Sequence, residues 1–183
     1  MQYLQELARI DPRLALLLEA QARAQPRSVP PHELPAALQR DQALGALDRG
    51  AWTVELVSAQ EFSQGALQVV FRAKAIADSA IWVQHTVTQF STADQAARAL
   101  PSMATALCKM DSLVPLPPPP AWPRCEWYER AEAPLSSASD RGTAALLRVG
   151  AVIHYVLAVG DAPHPAARSV ASAQTVVNAL LAQ

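Results

Sequence analysis

Two histidines lie in segments rich in β-branched residues, which are typical of strands. His85 lies two positions after Val83, and His154 lies two positions after Val152, so each imidazole shares a strand face with a valine. If the two strands were neighbours, the rings could meet. Two histidines supply only half of a typical zinc shell, and no cysteine or carboxylate motif supplies the rest. The pattern therefore favours two unrelated histidines, each hydrogen-bonded on the sheet, over a metal site, and no cofactor is predicted.

The densest charge cluster combines Glu126, Glu129 and Glu132 with Arg124 and Arg130. A glycosidase would need two carboxylates facing each other across a cleft. Alternation along a strand instead places Glu129 on the face opposite the other two glutamates. A solvated strand face is therefore favoured over a hydrolase site. The chain also lacks a Gly-x-Ser-x-Gly motif, so no catalytic residue is predicted.

The tryptophans could bind an apolar group. Trp52 and Trp82 lie on predicted strands, whereas Trp122 and Trp127 lie at or just beyond a proline-rich run, residues 117–123. This run is stiff and partly polyproline. It could form a recognition edge or one wall of an apolar cleft. The alternative, which the pattern favours, is that Trp122 attaches the loop to the core.

Cys108 and Cys125 are the two cysteines, and they flank an irregular proline-rich stretch, residues 114–123. A disulfide between them would close this loop and stabilise the fold by roughly 3 kcal/mol in the chain-entropy model. The alternative is two unrelated buried thiols, as is common in cytosolic proteins. The spacing favours the bridge, and both possibilities stay open.

Composition excludes some classes of function. The 183 residues include 15 basic and 16 acidic side chains, with the arginines scattered singly, so no surface for nucleic acid is predicted. No apolar run approaches the ~20 residues of a membrane span. The first residues lack a basic region followed by an apolar one, so we expect no secretory signal in this chain. The protein is then cytoplasmic, or Met1 follows a signal that was removed.

The N-terminal part is predicted to be helical. Leucines recur at helical spacing over residues 1–25. Pro12 divides this stretch into two helices, because proline disfavours helix at the residue before it. A linker follows over residues 25–31. We therefore expect an N-terminal helical segment and linker over residues 1–30.

The remainder, residues 31–183, is predicted to be a single α+β domain. A third helix is expected over residues 32–47, before a left-handed Gly50. Later helices are expected from about Ser91, with a bend at Pro101, and from Pro165. Strands separated by short breaks predict an antiparallel sheet of about five to six strands with helices packed on it. The expected strands are residues 52–56, 67–74, 80–90, 125–133, 143–149 and 151–159, the last two joined by a tight turn at Gly150.

Residues 82–96 resemble a signature of the extracytoplasmic sensor domains of bacterial serine/threonine kinases and of related cell-envelope lipoproteins. The signature is a strand, a Phe-Ser pair and a helix that begins near an alanine. The likeness continues through Cys108, a tryptophan-bearing loop with Cys125, the hairpin of residues 147–156 and the last helix. It covers the chain from about Leu34 to its end. The resemblance implies a single antiparallel sheet with helices and a cleft, disulfides, and no catalysis by the domain itself.

The function expected from these features is non-enzymatic binding of a small apolar ligand or an envelope component by an extracytoplasmic, sensor-like domain. The expected cleft lies between sheet and helix and is lined by Trp82, Phe90, Trp122 and Tyr155. This chain departs from the family in having cysteines for only one disulfide and in its N-terminal helices.

The alternative is a cytoplasmic interaction protein or secretion-type chaperone. In that case the leucine-rich helices of residues 1–47 would bury their apolar faces against a partner or in a homodimer.

Overall fold

The computed structural model describes residues 25–63, 65–110, 113–117, 125–130, 142–160 and 165–182. The predicted N-terminal helices, and dimerisation through them, fall on residues 1–24. They lie outside the described residues and stay predictions.

The described residues form one eight-stranded antiparallel sheet with the strand order β1-β2-β3-β4-β8-β7-β6-β5. Two runs of sequential neighbours, β1 to β4 and β5 to β8, meet where β4 pairs with β8. The strands are β1 (Arg27–Ser28), β2 (Trp52–Glu61), β3 (Leu67–Ala75), β4 (Trp82–Gln89), β5 (Leu113–Leu116), β6 (Cys125–Arg130), β7 (Gly142–Val149) and β8 (Val152–Val159).

The α+β class and the antiparallel order of the strands are confirmed, but the predicted number of strands was too low. The two additional strands are β1 and β5, which form the edges of the sheet and contain 2 and 4 residues. Segments this short show too few alternations to be recognised from periodicity. Pro115 also argues against a strand from sequence, and β5 can include it because it is an edge.

Two α-helices are described, α1 (Ala93–Met110) and α2 (Pro165–Leu181), and they cover opposite faces of the sheet. On the α2 face, Val176, Val177 and Leu180 pack in one core cluster with Val83 and Val156. On the α1 face, Ala96 and neighbouring apolar residues pack on Leu146, Ile153 and Tyr155. Strand β8 is nearly all apolar because its alternate residues enter both clusters.

The helix and turn signals are largely confirmed. The hydroxyl of Thr92 accepts a hydrogen bond from the backbone N–H of Gln95 in the first turn of α1. Pro165 is the first residue of α2, where its missing N–H costs nothing. Gly150 adopts a positive φ of 57° in the tight turn between β7 and β8.

The predicted helix over residues 32–47 is wrong. This segment consists of three short 3₁₀ turns, Pro31–Glu33, Ala36–Leu38 and Leu44–Ala46. Pro35 forces Leu34 into an extended conformation, with a ψ of 145°, which ends the first turn. The positive φ expected at Gly50 is also not found. We call residues 31–47 the turn segment; it contributes Leu34, Ala43 and Leu44 to the cluster on the α2 face.

Candidate functional site

The two histidines of the sheet meet on the α2 face. In the register of β4 and β8, His154 lies opposite Val87 and His85 lies opposite Val156, so the two imidazoles are diagonal neighbours. The Nε2 atom of His85 lies 3.1 Å from the Nδ1 atom of His154. Their ring centroids are 5.3 Å apart and their planes differ by 19°. The sequence pattern favoured two unrelated histidines, and this was wrong, because the two rings meet and form a hydrogen bond.

Asp41 of the turn segment extends this pair into a network of three side chains. Its Oδ2 atom accepts a hydrogen bond from Nδ1 of His85 at 2.7 Å, and both side chains are only 2% exposed. Its Oδ1 atom accepts the backbone N–H of Leu44 at 2.9 Å. Asp41 therefore fixes the turn segment to the sheet and orients the ring of His85 at the same time.

His154 is the outer member of the network. Burial, reinforced by the neighbouring His85, lowers its pKa from 6.5 to about 4, and the carboxylate of Asp41 only partly offsets this shift. His154 is therefore a neutral imidazole at neutral pH. Within the described residues its Nε2 atom has no hydrogen-bond partner, so this atom is available to a ligand.

A cavity of about 340 Å³ lies against the network, between the turn segment, the sheet and the end of α2. Asp41, His85 and His154 all line it. The other walls are largely apolar and include Phe71, Val87, Val152 and Leu180, while Arg40 supplies a cationic side chain. A second cavity of about 740 Å³ adjoins the first on the other side of Arg40 and Asp41.

This arrangement is suited to hydrogen bonding and proton exchange. An imidazole with one free nitrogen can accept or donate a proton. The described lining of the smaller cavity contains no serine, threonine or cysteine that the imidazole could activate as a nucleophile. No group of three metal-binding side chains occurs among the described residues.

The aromatic residues expected to line a cleft lie on the other face of the sheet. Tyr155 is buried in the cluster beneath α1, and Trp82 and Phe90 are packed against that cluster. Trp82 is the first residue of β4 and Phe90 follows its last residue, so the two are about 26 Å apart at ~3.3 Å per residue. The guanidinium of Arg72 lies 5.0 Å from the centre of the Trp82 ring. Trp122 lies outside the described residues, and ligand binding by this aromatic set stays a prediction.

The expected disulfide is not formed, since Cys108 and Cys125 are both free thiols. They lie on opposite faces of the sheet. Cys108 of α1 packs against the cluster on the α1 face, whereas Cys125 of β6 is buried in the cluster on the α2 face. A disulfide bond between them would have to pass through the sheet. Strand alternation could not indicate this, because the sequence does not show which face of the sheet α1 covers.

The acidic cluster is solvated where it is described. Glu126 and Glu129 of β6 are exposed, and the hydroxyl of Tyr128 donates a short hydrogen bond to the carboxylate of Glu126. Arg124 and Glu132 lie outside the described residues.

The residue that sequence reasoning missed is Asp41. It was assigned to a helix that does not form, and its partner His85 lies 44 positions further along the chain. The sequence does contain one signal for it: this aspartate lies in a segment whose apolar side chains are spaced for burial.

The fold and site together define an α+β domain with a polar network and a cavity on one face of a single antiparallel sheet. No protein-family model matches the chain, and no curated protein matches it. Among solved structures it is similar to the extracellular domain of PknH from Mycobacterium tuberculosis, with 13% sequence identity and a TM-score of 0.46. The match covers 87% of this chain and 100% of that chain. Of the resemblance to sensor domains expected from the sequence, only this weak structural similarity is supported. It allows no conclusion about function.

Among the described residues, no helix combines the length and apolar character that crossing a membrane requires.

Proposed function

We propose that the protein is a non-enzymatic binding domain whose ligand is a small molecule held in the 340 Å³ cavity beside His154. The observation that supports this proposal is a hydrogen-bonded network of one buried carboxylate and two imidazoles that lines a cavity. A cavity of this size suits a compact ligand, and its apolar walls with few polar groups are typical of small-molecule sites.

Anchoring the turn segment does not require the whole network. The contact between Asp41 and His85 already fixes this segment to the sheet. Burying polar groups is costly unless they are hydrogen-bonded, and the second imidazole adds a further desolvated group to the α2 face. His154 adds to the cavity lining a ring nitrogen that has no partner among the described residues, and a ligand could use this atom.

The resemblance of residues 82–96 to extracytoplasmic sensor domains supports a sensor-like role at the cell envelope. Cell-envelope location and sensing are part of the same proposal. The apolar ligand expected from the sequence is kept, and its site is placed on the α2 face instead of among the aromatic residues of the α1 face.

The test uses protein with labelled methyl groups and three probes of equal chain length: hexanoate, hexanamide and hexylamine. We expect at least one probe to shift the methyl resonances of Val87, Val152 and Leu180 in a saturable manner. Those of Ile153 and Leu157, on the opposite face, should not move.

Variants test whether the shifts of the methyl resonances come from binding in the cavity. Val152→Phe should fill it and abolish binding, whereas the matched variant Val114→Phe, at an exposed position of β5, should bind normally. If the Val152→Phe protein binds as well as the wild type, or if none of the three probes shifts the cavity methyls, the proposal is wrong. Loss of binding in a Trp82→Ala, Trp122→Ala double variant, with Val152→Phe unaffected, would place the site among the aromatic residues instead.

A further inference from the structure

We propose that the ligand of this cavity is an organic monocarboxylate with a small apolar body, and that it binds together with one proton taken up by the two histidines. This inference rests on the proposed function, because it names the ligand class and the control of the same site.

The contact between the histidines contains one proton. At 3.1 Å, Nε2 of His85 and Nδ1 of His154 form a hydrogen bond, so one of the two nitrogens bears the hydrogen and the other supplies a lone pair. The second ring nitrogen of His85 is already assigned, because a carboxylate accepts and Nδ1 must donate to Asp41. The network therefore has two arrangements.

In the first arrangement His85 is neutral, His154 donates from Nδ1, and the outer Nε2 atom of His154 presents a lone pair to the cavity. In the second arrangement His85 is an imidazolium paired with Asp41 and donates from Nε2, so His154 presents an N–H instead. The two arrangements differ by one proton, and with the carboxylate their net charges are −1 and 0.

Uptake of one proton converts the first arrangement into the second, and only N–H bonds form or break. A proton from solvent binds Nε2 of His154, and the proton on Nδ1 of His154 passes to Nε2 of His85. The added charge then resides on His85, 2.7 Å from the carboxylate of Asp41. The outcome is an N–H donor at the cavity, which a carboxylate accepts.

The charges around His154 favour an anion. His85 faces it from β4, and Asp41 and Arg40 face it from the turn segment. The described side chains of α2 include no charged group, and neither do the residues of β7 on this face. The guanidinium of Arg148, also in β7, donates a hydrogen bond to the carbonyl oxygen of Gly150. In the second arrangement the imidazolium of His85 balances the carboxylate of Asp41, so Arg40 provides the net charge of the described lining.

Arg40 disfavours an ammonium ligand and attracts a carboxylate. The apolar walls formed by Val87, Val152 and Leu180 suit the hydrocarbon part of the same molecule.

The test is calorimetric titration of the full chain with hexanoate from about pH 6 to about pH 9, in buffers of different ionisation enthalpy. We expect uptake of up to one proton per hexanoate bound. On the alkaline side, the affinity should fall about tenfold per pH unit. Hexanamide should bind more weakly and without pH dependence.

Three variants separate the parts of the proposal. His154→Gln presents an N–H donor to the cavity whatever the charge of His85. Binding of hexanoate should then no longer require proton uptake, and its affinity should lose its dependence on pH. Arg40→Gln should weaken the binding of hexanoate at least several-fold and leave the binding of hexanamide unchanged. Arg49→Gln, which lines only the larger cavity, is the matched control and should bind as the wild type does.

Hexanoate affinity that is flat with pH, or tighter binding of hexylamine than of hexanoate, would overturn this inference. In both cases a probe still occupies the cavity, so the proposed function would stand. If no probe of any charge binds, the proposed function itself fails.

Discussion

Asp41 joins two parts of the fold that are distant in sequence, because one carboxylate oxygen holds the turn segment and the other holds His85. Removing one partner of a buried charged pair leaves the other without its hydrogen bond. We expect Asp41→Ala to lower the free energy of unfolding by about 3 kcal/mol.

Asp41→Asn is the matched control, since its amide oxygen can still accept the N–H of Leu44. It should cost clearly less than Asp41→Ala in urea unfolding followed by circular dichroism. Equal stability of Asp41→Ala and the wild type would show that the network does not hold the turn segment.

His154 gives stability a specific dependence on pH. Its folded pKa of about 4 is below the ordinary value of 6.5, so between these values the unfolded chain binds a proton that the folded protein does not. Stability therefore falls as the pH is lowered from 6.5 to about 4, by at most about 3 kcal/mol, and this group contributes nothing further above 6.5.

The measurement is urea unfolding at a series of pH values for the wild type and His154→Gln. Carboxylates titrate in the same range and affect both proteins, so the difference between the two curves isolates His154. A constant difference across this range would contradict the lowered pKa.

The two thiols should differ in reactivity. Burial raises the pKa of Cys125 to about 11, which keeps it in the unreactive thiol form, whereas Cys108 is only partly buried. We expect iodoacetamide to label Cys108 first in the native protein and both cysteines after denaturation. Intact mass measures this order, and Cys108→Ser is the control that should abolish the early label. A mass lower by two hydrogens without labelling would show a disulfide and contradict the structure.

At the scale of residues, the sequence could show where the histidines point but not what they bind. Alternation in two strands placed His85 and His154 on defined faces, but the pattern favoured unrelated histidines, and their contact is seen only in the structure. Asp41 could not be found this way, because its position depends on how an irregular segment folds back over the sheet. The sequence also does not show which face of the sheet α1 covers, so the predicted disulfide between Cys108 and Cys125 was wrong.

At the scale of elements, strand prediction succeeded where alternation was long. β3 and β4 have 9 and 8 residues, and buried residues alternate along β3. β2 was predicted only over residues 52–56 but extends to Glu61, because a register shift between Leu56 and Ser58 interrupts its alternation. The turn segment was misassigned because leucine spacing resembles a helix, whereas three prolines at positions 30, 31 and 35 interrupt backbone hydrogen bonding. Local proline effects outweighed the periodic signal there.

Gly142 shows how closely two strands approach at the start of β7. A Cβ added there would overlap the backbone carbonyl oxygen of Ala158 and lie 3.2 Å from Cγ2 of Val159. Because a backbone atom of a central strand cannot move aside, we expect Gly142→Ala to destabilise the protein by about 2 kcal/mol.

Gly45→Ala is the matched control for this substitution, because a Cβ at that position meets nothing within 4 Å. Its stability in thermal unfolding should be within about 0.5 kcal/mol of the wild type. Equal stability of the two variants would mean that β7 and β8 can separate locally at no cost.

At the scale of the whole molecule, the sheet depends on one central pairing. β4 and β8 join the two runs of strands and are flanked on both sides by other strands. Amides of central strands open only when the surrounding structure opens, so we expect the slowest hydrogen exchange in β4 and β8 and the fastest in β1 and β5. Exchange followed by mass spectrometry tests this order, and protection of β1 equal to that of β4 would contradict it.

The two edges of the sheet also determine how molecules can associate. Among the described residues, β1 pairs with β2 only at Gln60 and Glu61, so residues 53–58 of β2 also lie at an edge of the sheet. At the other edge β5 has 4 residues, of which Pro115 has no N–H to donate. Long regular edges allow strands of separate molecules to join and grow into fibrils, and short or proline-bearing edges prevent it. The β5 edge should therefore resist strand-by-strand polymerisation. An extended segment of a partner protein has room to pair with residues 53–58 of β2, whereas β5 leaves it too little backbone.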